Sequence, residues 1–137
     1  MEQRVFALLV HDKPFPIEPL RQALRDLQVD TYSVQSCKEA RDLISQTHPH
    51  LVFTDVSVKD GSWADVVNLA EQAEAPLDVI VVGSSVDTKF YLSVIERGAF
   101  DFVLPPFELG GLGHVVRTAG LHVRDRRRAQ TQPAIVH

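Results

Sequence analysis

Apolar runs of strand length recur along the chain at Val5 to Val10, Val29 to Val34, Leu51 to Thr54, Leu77 to Val82 and Phe100 to Leu104. The stretches between them place apolar residues at helical spacing. Several runs are continuously apolar rather than alternating, Val79-Ile80-Val81-Val82 most clearly, as expected of parallel strands covered on both faces. The pattern therefore predicts an α/β chain: five parallel strands alternating with helices. Start signals follow the strand ends, with Ser36 and Glu39 as one capping box, Ser62 and Asp65 as a second, and Asp87 as a third cap. Gly98 stands where a left-handed helix stop belongs, and Pro49 and Pro76 precede strands three and four. The last helix is predicted to fray or bend, because Gly110, Gly111, Gly113 and Gly120 each cost about 1 kcal/mol relative to alanine. Its expected inward stripe is Leu109, Leu112, Val116 and Ala119, with Val115, Leu121 and Val123 partly outside it.

In an open parallel sheet, chemistry collects beyond the carboxyl ends of the strands. Those ends supply Asp12, Asp55, Gly83 and Pro105: two carboxylates, and two residues with neither hydroxyl nor cation. Two acids at adjacent strand ends concentrate negative charge, which a hard, oxygen-preferring divalent cation relieves, and magnesium suits such a site. Each acid also has a plainer reading, Asp55 as a helix cap or loop-bonding residue and Asp12 as a turn former before Pro14.

Composition narrows the class. A chain of 137 residues with 45% hydrophobic content makes one domain with a real core. We assign residues 1–124 to that domain and 125–137 to a basic, flexible tail. No stretch is long enough to cross a bilayer, and Met1-Glu2-Gln3-Arg4 lacks the layout of a secretion signal, so the expected compartment is the cytoplasm. Cys37, the only cysteine, excludes an internal disulfide and reads as a packing residue. The net charge of −4 argues against a general nucleic-acid surface, and the cluster Arg124, Arg126, Arg127 and Arg128 reads as a solvated last turn.

The order of features resembles the receiver domain of bacterial two-component response regulators, from about Arg4 to about Val123. The matching pieces are Leu8 to Pro14, Leu51 to Asp55, Val79 to Ser84 and Gly98 to Phe107. The resemblance implies a flavodoxin-like, CheY-like (βα)5 doubly wound sheet of strand order 2-1-3-4-5. It makes Asp55 the phosphoacceptor for a sensor histidine kinase, and Asp12, Asp55 and the Ser57 backbone carbonyl the ligands of Mg2+. Three positions depart from the family. His11 stands where a second acid is usual, removing one anionic charge; a neutral imidazole can hold a metal-bound water, whereas a protonated ring repels magnesium, so metal binding is expected to be weak. Gly83 replaces the serine or threonine of strand four, with Ser84 or Ser85 as a substitute hydroxyl. Pro105 replaces the strand-five lysine, a loss of the kind that costs about a hundredfold to a thousandfold in rate, with Lys13 or Lys59 as a substitute cation. Phe102 matches the aromatic switch position, and its packing alternative is a ring held between the fourth and fifth helices. The loop Val56 to Trp63 is shorter than usual and resembles a compact receiver subtype, with Gly61 turning the chain into the helix that Ser62 caps.

The sequence thus predicts an atypical, non-enzymatic receiver with an incomplete site that acts mainly through protein contacts. A slow but competent phosphoacceptor is the alternative within the fold. A flavodoxin-like binder of small ligands is the alternative outside it, opposed by a first loop of acid and prolines where a phosphate cradle needs glycines. A phosphohydrolase ranks last, because Ser57 stands where its second acid would be. Lys89, Phe90 and Tyr91 of the fourth helix, Phe100 and the glycine-rich fifth helix form the expected face for a homodimer, a kinase or an output partner.

Overall fold

The computed structural model describes residues 4–85 and 87–131. Its main sheet is parallel and five-stranded, built from β1 (Phe6–Val10), β2 (Asp30–Val34), β3 (Leu51–Asp55), β6 (Asp78–Val82) and β7 (Asp101–Val103) in the order β2-β1-β3-β6-β7. Counting only these five, this is the order 2-1-3-4-5. The continuous apolar runs explain why β1, β3 and β6 are central: Leu8, Leu9, Val52, Phe53, Ile80 and Val81 are all fully buried. The edge strand β2 alternates instead, and leaves Tyr32 exposed.

Residues pointing to opposite faces of each strand feed two cores. Leu9, Phe53, Ile80 and Val82 pack under α1 (Ile17–Asp26) and α5 (Leu109–Thr131). Leu8, Val10, Val52, Val79 and Val81 pack under α2 (Cys37–Thr47), α3 (Trp63–Glu71) and α4 (Thr88–Arg97). The helix starts follow the local chemistry: Ser36 accepts from the Glu39 amide, Ser62 and Asp65 form a reciprocal box, and the Asp87 carboxylate accepts from the Phe90 amide. Gly98, at φ 120°, ends α4 in a conformation that a side chain would resist. A short hairpin, β4 (Ser57–Val58) with β5 (Gly61–Ser62), lies between β3 and α3 and was not foreseen.

The last helix departs most from expectation. It runs unbroken to Thr131, so residues 125–131 are helix rather than tail; residues 132–137 lie outside the described residues. Gly113 and Gly120 are buried on its inward face, where a β-carbon on Gly120 would make an ordinary contact with Val5 at 3.5 Å. Val123 is fully buried in that stripe, whereas Leu109 is exposed. The arginines are tethered as well. Arg126 pairs at 3.0 Å with Asp78, which is 6% exposed and also accepts from His122 at 2.7 Å. Arg127 donates from Nε to the Pro76 carbonyl at 2.8 Å and from Nη2 to the carbonyls of His48 (3.0 Å) and Pro49 (2.8 Å). One guanidinium therefore satisfies three chain ends that no strand or helix closes. Among the described residues no helix is long and apolar enough to cross a membrane.

Removing the Arg127 fork leaves those three carbonyls without their donor. We expect Arg127→Ala to lower unfolding stability in urea by about 2 kcal/mol, with Arg127→Lys recovering less than half because one ammonium cannot span the three acceptors.

Candidate functional site

The parallel register sets the site. Thr54 pairs with Val10, and Asp55 with Val82, so the residues that continue β1 and β6 past those pairs, His11-Asp12 and Gly83-Ser84, emerge beside Asp55. Asp55 is half-buried, and its Oδ1 accepts the Val56 amide at 2.7 Å. Burial pushes its carboxyl above the usual carboxylate range, the Val56 hydrogen bond pulls it back, the neighbouring Asp12 charge raises it further, and His11 and Lys13 lower it. The two acids are thus close enough to feel each other. Asp12 Oδ1 is buried with no hydrogen-bond partner. An acceptor left in that state carries a desolvation cost that a cation removes.

The donor set fits magnesium in kind and is small in number. Among the described residues no three His, Cys, Asp or Glu side chains cluster to hold a metal, so Asp12 and Asp55 need oxygen from the main chain. Ser57 lies on β4, two residues beyond Asp55. The turn of this hairpin is fixed by Asp60, whose carboxylate accepts the amides of Cys37 (2.7 Å) and Lys38 (3.1 Å) at the start of α2 and is kept more acidic than usual by them. Burial, with Asp60 and Asp65 adding, pushes the Cys37 thiol up to about 11, which leaves it a protonated packing group.

His11 does not face a metal. The ring is 8% exposed, its Nδ1 lies 2.8 Å from the Lys13 carbonyl, and its Nε2 lies 3.1 Å from Ser33 Oγ and 3.4 Å from Arg21 Nη2. A carbonyl only accepts, so Nδ1 carries the proton and Nε2 accepts. Both ring nitrogens thus have protein partners. Ser33 and Arg21 were missed as its partners; the one sequence signal was that β2 should lie beside β1, which sets Leu9 opposite Ser33.

The end of β6 is occupied by another residue's ring. A β-carbon on Gly83 would collide with Phe102 Cζ and meet Leu104 Cδ2 at 3.2 Å. Phe102 meets Phe90 (centroids 5.7 Å apart) and Tyr91 (6.1 Å) of α4 edge to face, and Phe90 meets Trp63 in the same way at 5.8 Å. The ring therefore belongs to the core beneath α4, and not to a seam between the fourth and fifth helices. A cleft of about 350 Å³ opens beside it, lined by Asp55, Val56, Gly83, Ser84, Ser85, Asp87, Phe90 and Phe102. Ser84 and Ser85 are exposed and share this cleft with Asp55. Pro105, just past β7, brings no cation. Of the two candidate lysines, both exposed, Lys13 directly follows Asp12 and Lys59 lies between β4 and β5.

The family model described as the response regulator receiver domain matches residues 7–117. The chain is 36% identical over 115 residues to the response regulator protein PilR of Pseudomonas aeruginosa, covering 82% of this chain and 25% of that protein. It is 28% identical over 108 residues to the DNA-binding response regulator MtrA of Mycolicibacterium smegmatis, covering 79% and 46%. It thus spans between a quarter and a half of the length of these relatives. Among solved structures, a signal receiver domain from Vibrio parahaemolyticus superposes with a TM-score of 0.79 at 23% identity over 95% of this chain and 100% of the other. A response regulator receiver protein from Pseudomonas putida gives 0.69 at 28% identity over 86% and 99%.

Two outcomes follow from this geometry. Gly83→Ser should destabilise the fold by about 1–3 kcal/mol through overpacking, and Phe102→Ala in the same chain should relieve that clash, so a urea double-mutant cycle reads non-additive by more than about 1 kcal/mol. Asp55 is raised by burial, so its ionised form weakens the fold as pH climbs through and above the usual carboxylate range, and protonation restores what is lost. Asp55→Asn should therefore melt higher than the native chain at neutral pH, by only about 2 °C because solvent screens a half-exposed group, with the gap closing as the solution is acidified.

Proposed function

The chain belongs to the response regulator receiver domain family, and on that footing we propose that it is an atypical member whose phosphorylation site is incomplete and which signals mainly through protein contacts. The observation that carries this reading is the exchange at Gly83 and Phe102. The strand-four hydroxyl is missing, and an aromatic ring fills the space its β-carbon would need. A ring seated there by shape has no hydroxyl at residue 83 to follow, so the state of the α4 and β7 surface is set by packing more than by chemistry at Asp55. The lack of a cation at Pro105 supports the same reading.

A slow phosphoacceptor at Asp55 is the second reading, favoured by the unmet Asp12 oxygen beside it. Asp12, Asp55 and the Ser57 carbonyl would hold magnesium, which when bound would offset charge on the phosphoryl oxygens. The chain's own residues then position Asp55, whose Oδ1 is fixed by the Val56 amide while Oδ2 is left to react. Ser84 and Ser85 border the same cleft as replacement donors.

The proposed partners are a sensor histidine kinase or another signalling protein, with a homodimer as a further use of the same face. Tyr91 (40% exposed) and Leu92 (50%) on α4, with Leu109 (47%) on α5, offer apolar surface there. Phe90 and Phe100, expected on that face, are half-buried, the first in the aromatic stack and the second stacked on His122 at 5.5 Å.

Incubation with acetyl phosphate and Mg2+, followed by intact mass over time, tests the proposal. We expect a slow, substoichiometric gain of one phosphoryl group, absent in Asp55→Asn. Rapid, complete and Asp55-dependent modification would show that the site is not incomplete in practice.

A further inference from the structure

We propose that Lys13 is the cation of the Asp55 site, supplied from the β1 side of the sheet edge instead of from the end of β7. The inference rests on reading Asp12 and Asp55 as the metal and phosphoryl site, and it deepens that reading by naming the group that contacts the phosphoryl oxygens.

Neither the end of β7 nor the end of β6 supplies a cation. Pro105 cannot carry charge, β6 gives way to Gly83, Ser84 and Ser85, and Lys59 lies exposed in a hairpin turn whose next residue, Asp60, is tied to the start of α2. Lys13 directly follows Asp12, and its backbone is held. The His11 ring donates from Nδ1 to the Lys13 carbonyl at 2.8 Å, closing a short turn around Asp12. That ring is clamped in turn by Ser33 of β2 and Arg21 of α1, and Arg21 is steadied by Glu18 at 3.0 Å. A carboxylate at position 11 could not make the first of these bonds, because it has no proton to give a carbonyl when ionised. The substitution that removes one negative charge from the site therefore also anchors the loop that brings a positive one. The Lys13 side chain is exposed, and it directly follows Asp12, which the parallel register of β1 and β3 sets at the same sheet edge as Asp55.

In the step this serves, an Asp55 carboxylate oxygen bonds to the phosphorus of an acyl phosphate. The bond from phosphorus to the acyl oxygen breaks, and its electron pair leaves on the departing carboxylate. The phosphoryl oxygens carry negative charge throughout, and Lys13 sits opposite them. Toward a bare divalent cation the same ammonium is repulsive. Lys13 thus favours the phosphoryl-loaded site and disfavours the metal-only site, a pair of opposite signs that packing of the loop alone would not produce.

Beryllofluoride with Mg2+, and Mg2+ alone, are the probes, each titrated against full-length protein. Trp63 is the only tryptophan and meets Phe90, which lines the Asp55 cleft, so its fluorescence reports both. We expect Lys13→Ala to weaken beryllofluoride binding about tenfold while leaving Mg2+ binding equal or tighter, Lys13→Arg to recover most of the loss, and Lys59→Ala to match the native chain. Equal beryllofluoride binding by the native chain and Lys13→Ala overturns the inference alone. A parallel loss of both ligands in Lys13→Ala also overturns it, by assigning Lys13 a structural role. No beryllofluoride binding by the native chain overturns the reading of Asp55 and this inference together. Fast modification by acetyl phosphate counts only against the incomplete site, leaving Lys13 to be decided by its variants.

Discussion

The parallel register of β1, β3 and β6 is the constraint on which the site depends. Strands of this kind start and stop at common levels, so the acids at 12 and 55, some forty residues apart in sequence, reach one edge without any contact between them being favourable in itself. Their meeting is uphill: Asp55 is raised by burial first and by Asp12 as well, and Asp12 leaves one oxygen without a hydrogen bond. Two fully buried apolar cores, one on each face of the sheet, outweigh that cost and hold the carboxylates where water would otherwise separate them. The strain of the edge is what gives a cation something to bind.

Around this acid pair, Gly83 at the end of β6 and Pro105 past β7 carry neither hydroxyl nor cation, and the two positions are packed differently. At the end of β6 the loss is filled from within, since Phe102 occupies the volume beside Gly83 and ties β7 to α4 through Phe90, Tyr91 and Trp63. Filling with an aromatic ring adds buried area and fixes one arrangement of the surface. At the end of β7 the loss of charge is not filled in place, because Pro105 can neither donate nor ionise. At the end of β1, the His11 ring lies against the Lys13 carbonyl, Ser33 and Arg21.

Most of the fold was legible because continuous apolar runs have few folded alternatives. All five main strands fall within one residue of the runs that predict them, and Ser36, Ser62, Asp87 and Gly98 each act at the helix ends they mark. What escaped depends on partners distant in sequence. Arg126 and Arg127 look like a solvated last turn until the sheet presents Asp78 and three open carbonyls to them. The four glycines of α5 count against a helix by propensity alone, yet Gly113 and Gly120 are where α5 closes on Leu27 and Val5. His11 reads as a lost ligand by position, and only the packing of Ser33 and Arg21 around it reveals an anchor.

These tethers also limit how the domain can respond. Asp78 with His122 and Arg126, and Arg127 with the carbonyls of His48, Pro49 and Pro76, bind the second half of α5 to the amino ends of the strands, opposite the acid pair. Asp78 is buried while His122 and Arg126 are about half exposed, so their pairing satisfies a carboxylate that water reaches poorly. These contacts hold the second half of α5 to the sheet at the end away from Asp55. The helix least buried against the sheet is α4, whose one fully buried residue is Val94. There the aromatic stack on Phe102 is the main resistance, so the strength with which that ring is held decides how far chemistry at the sheet edge can reach a partner.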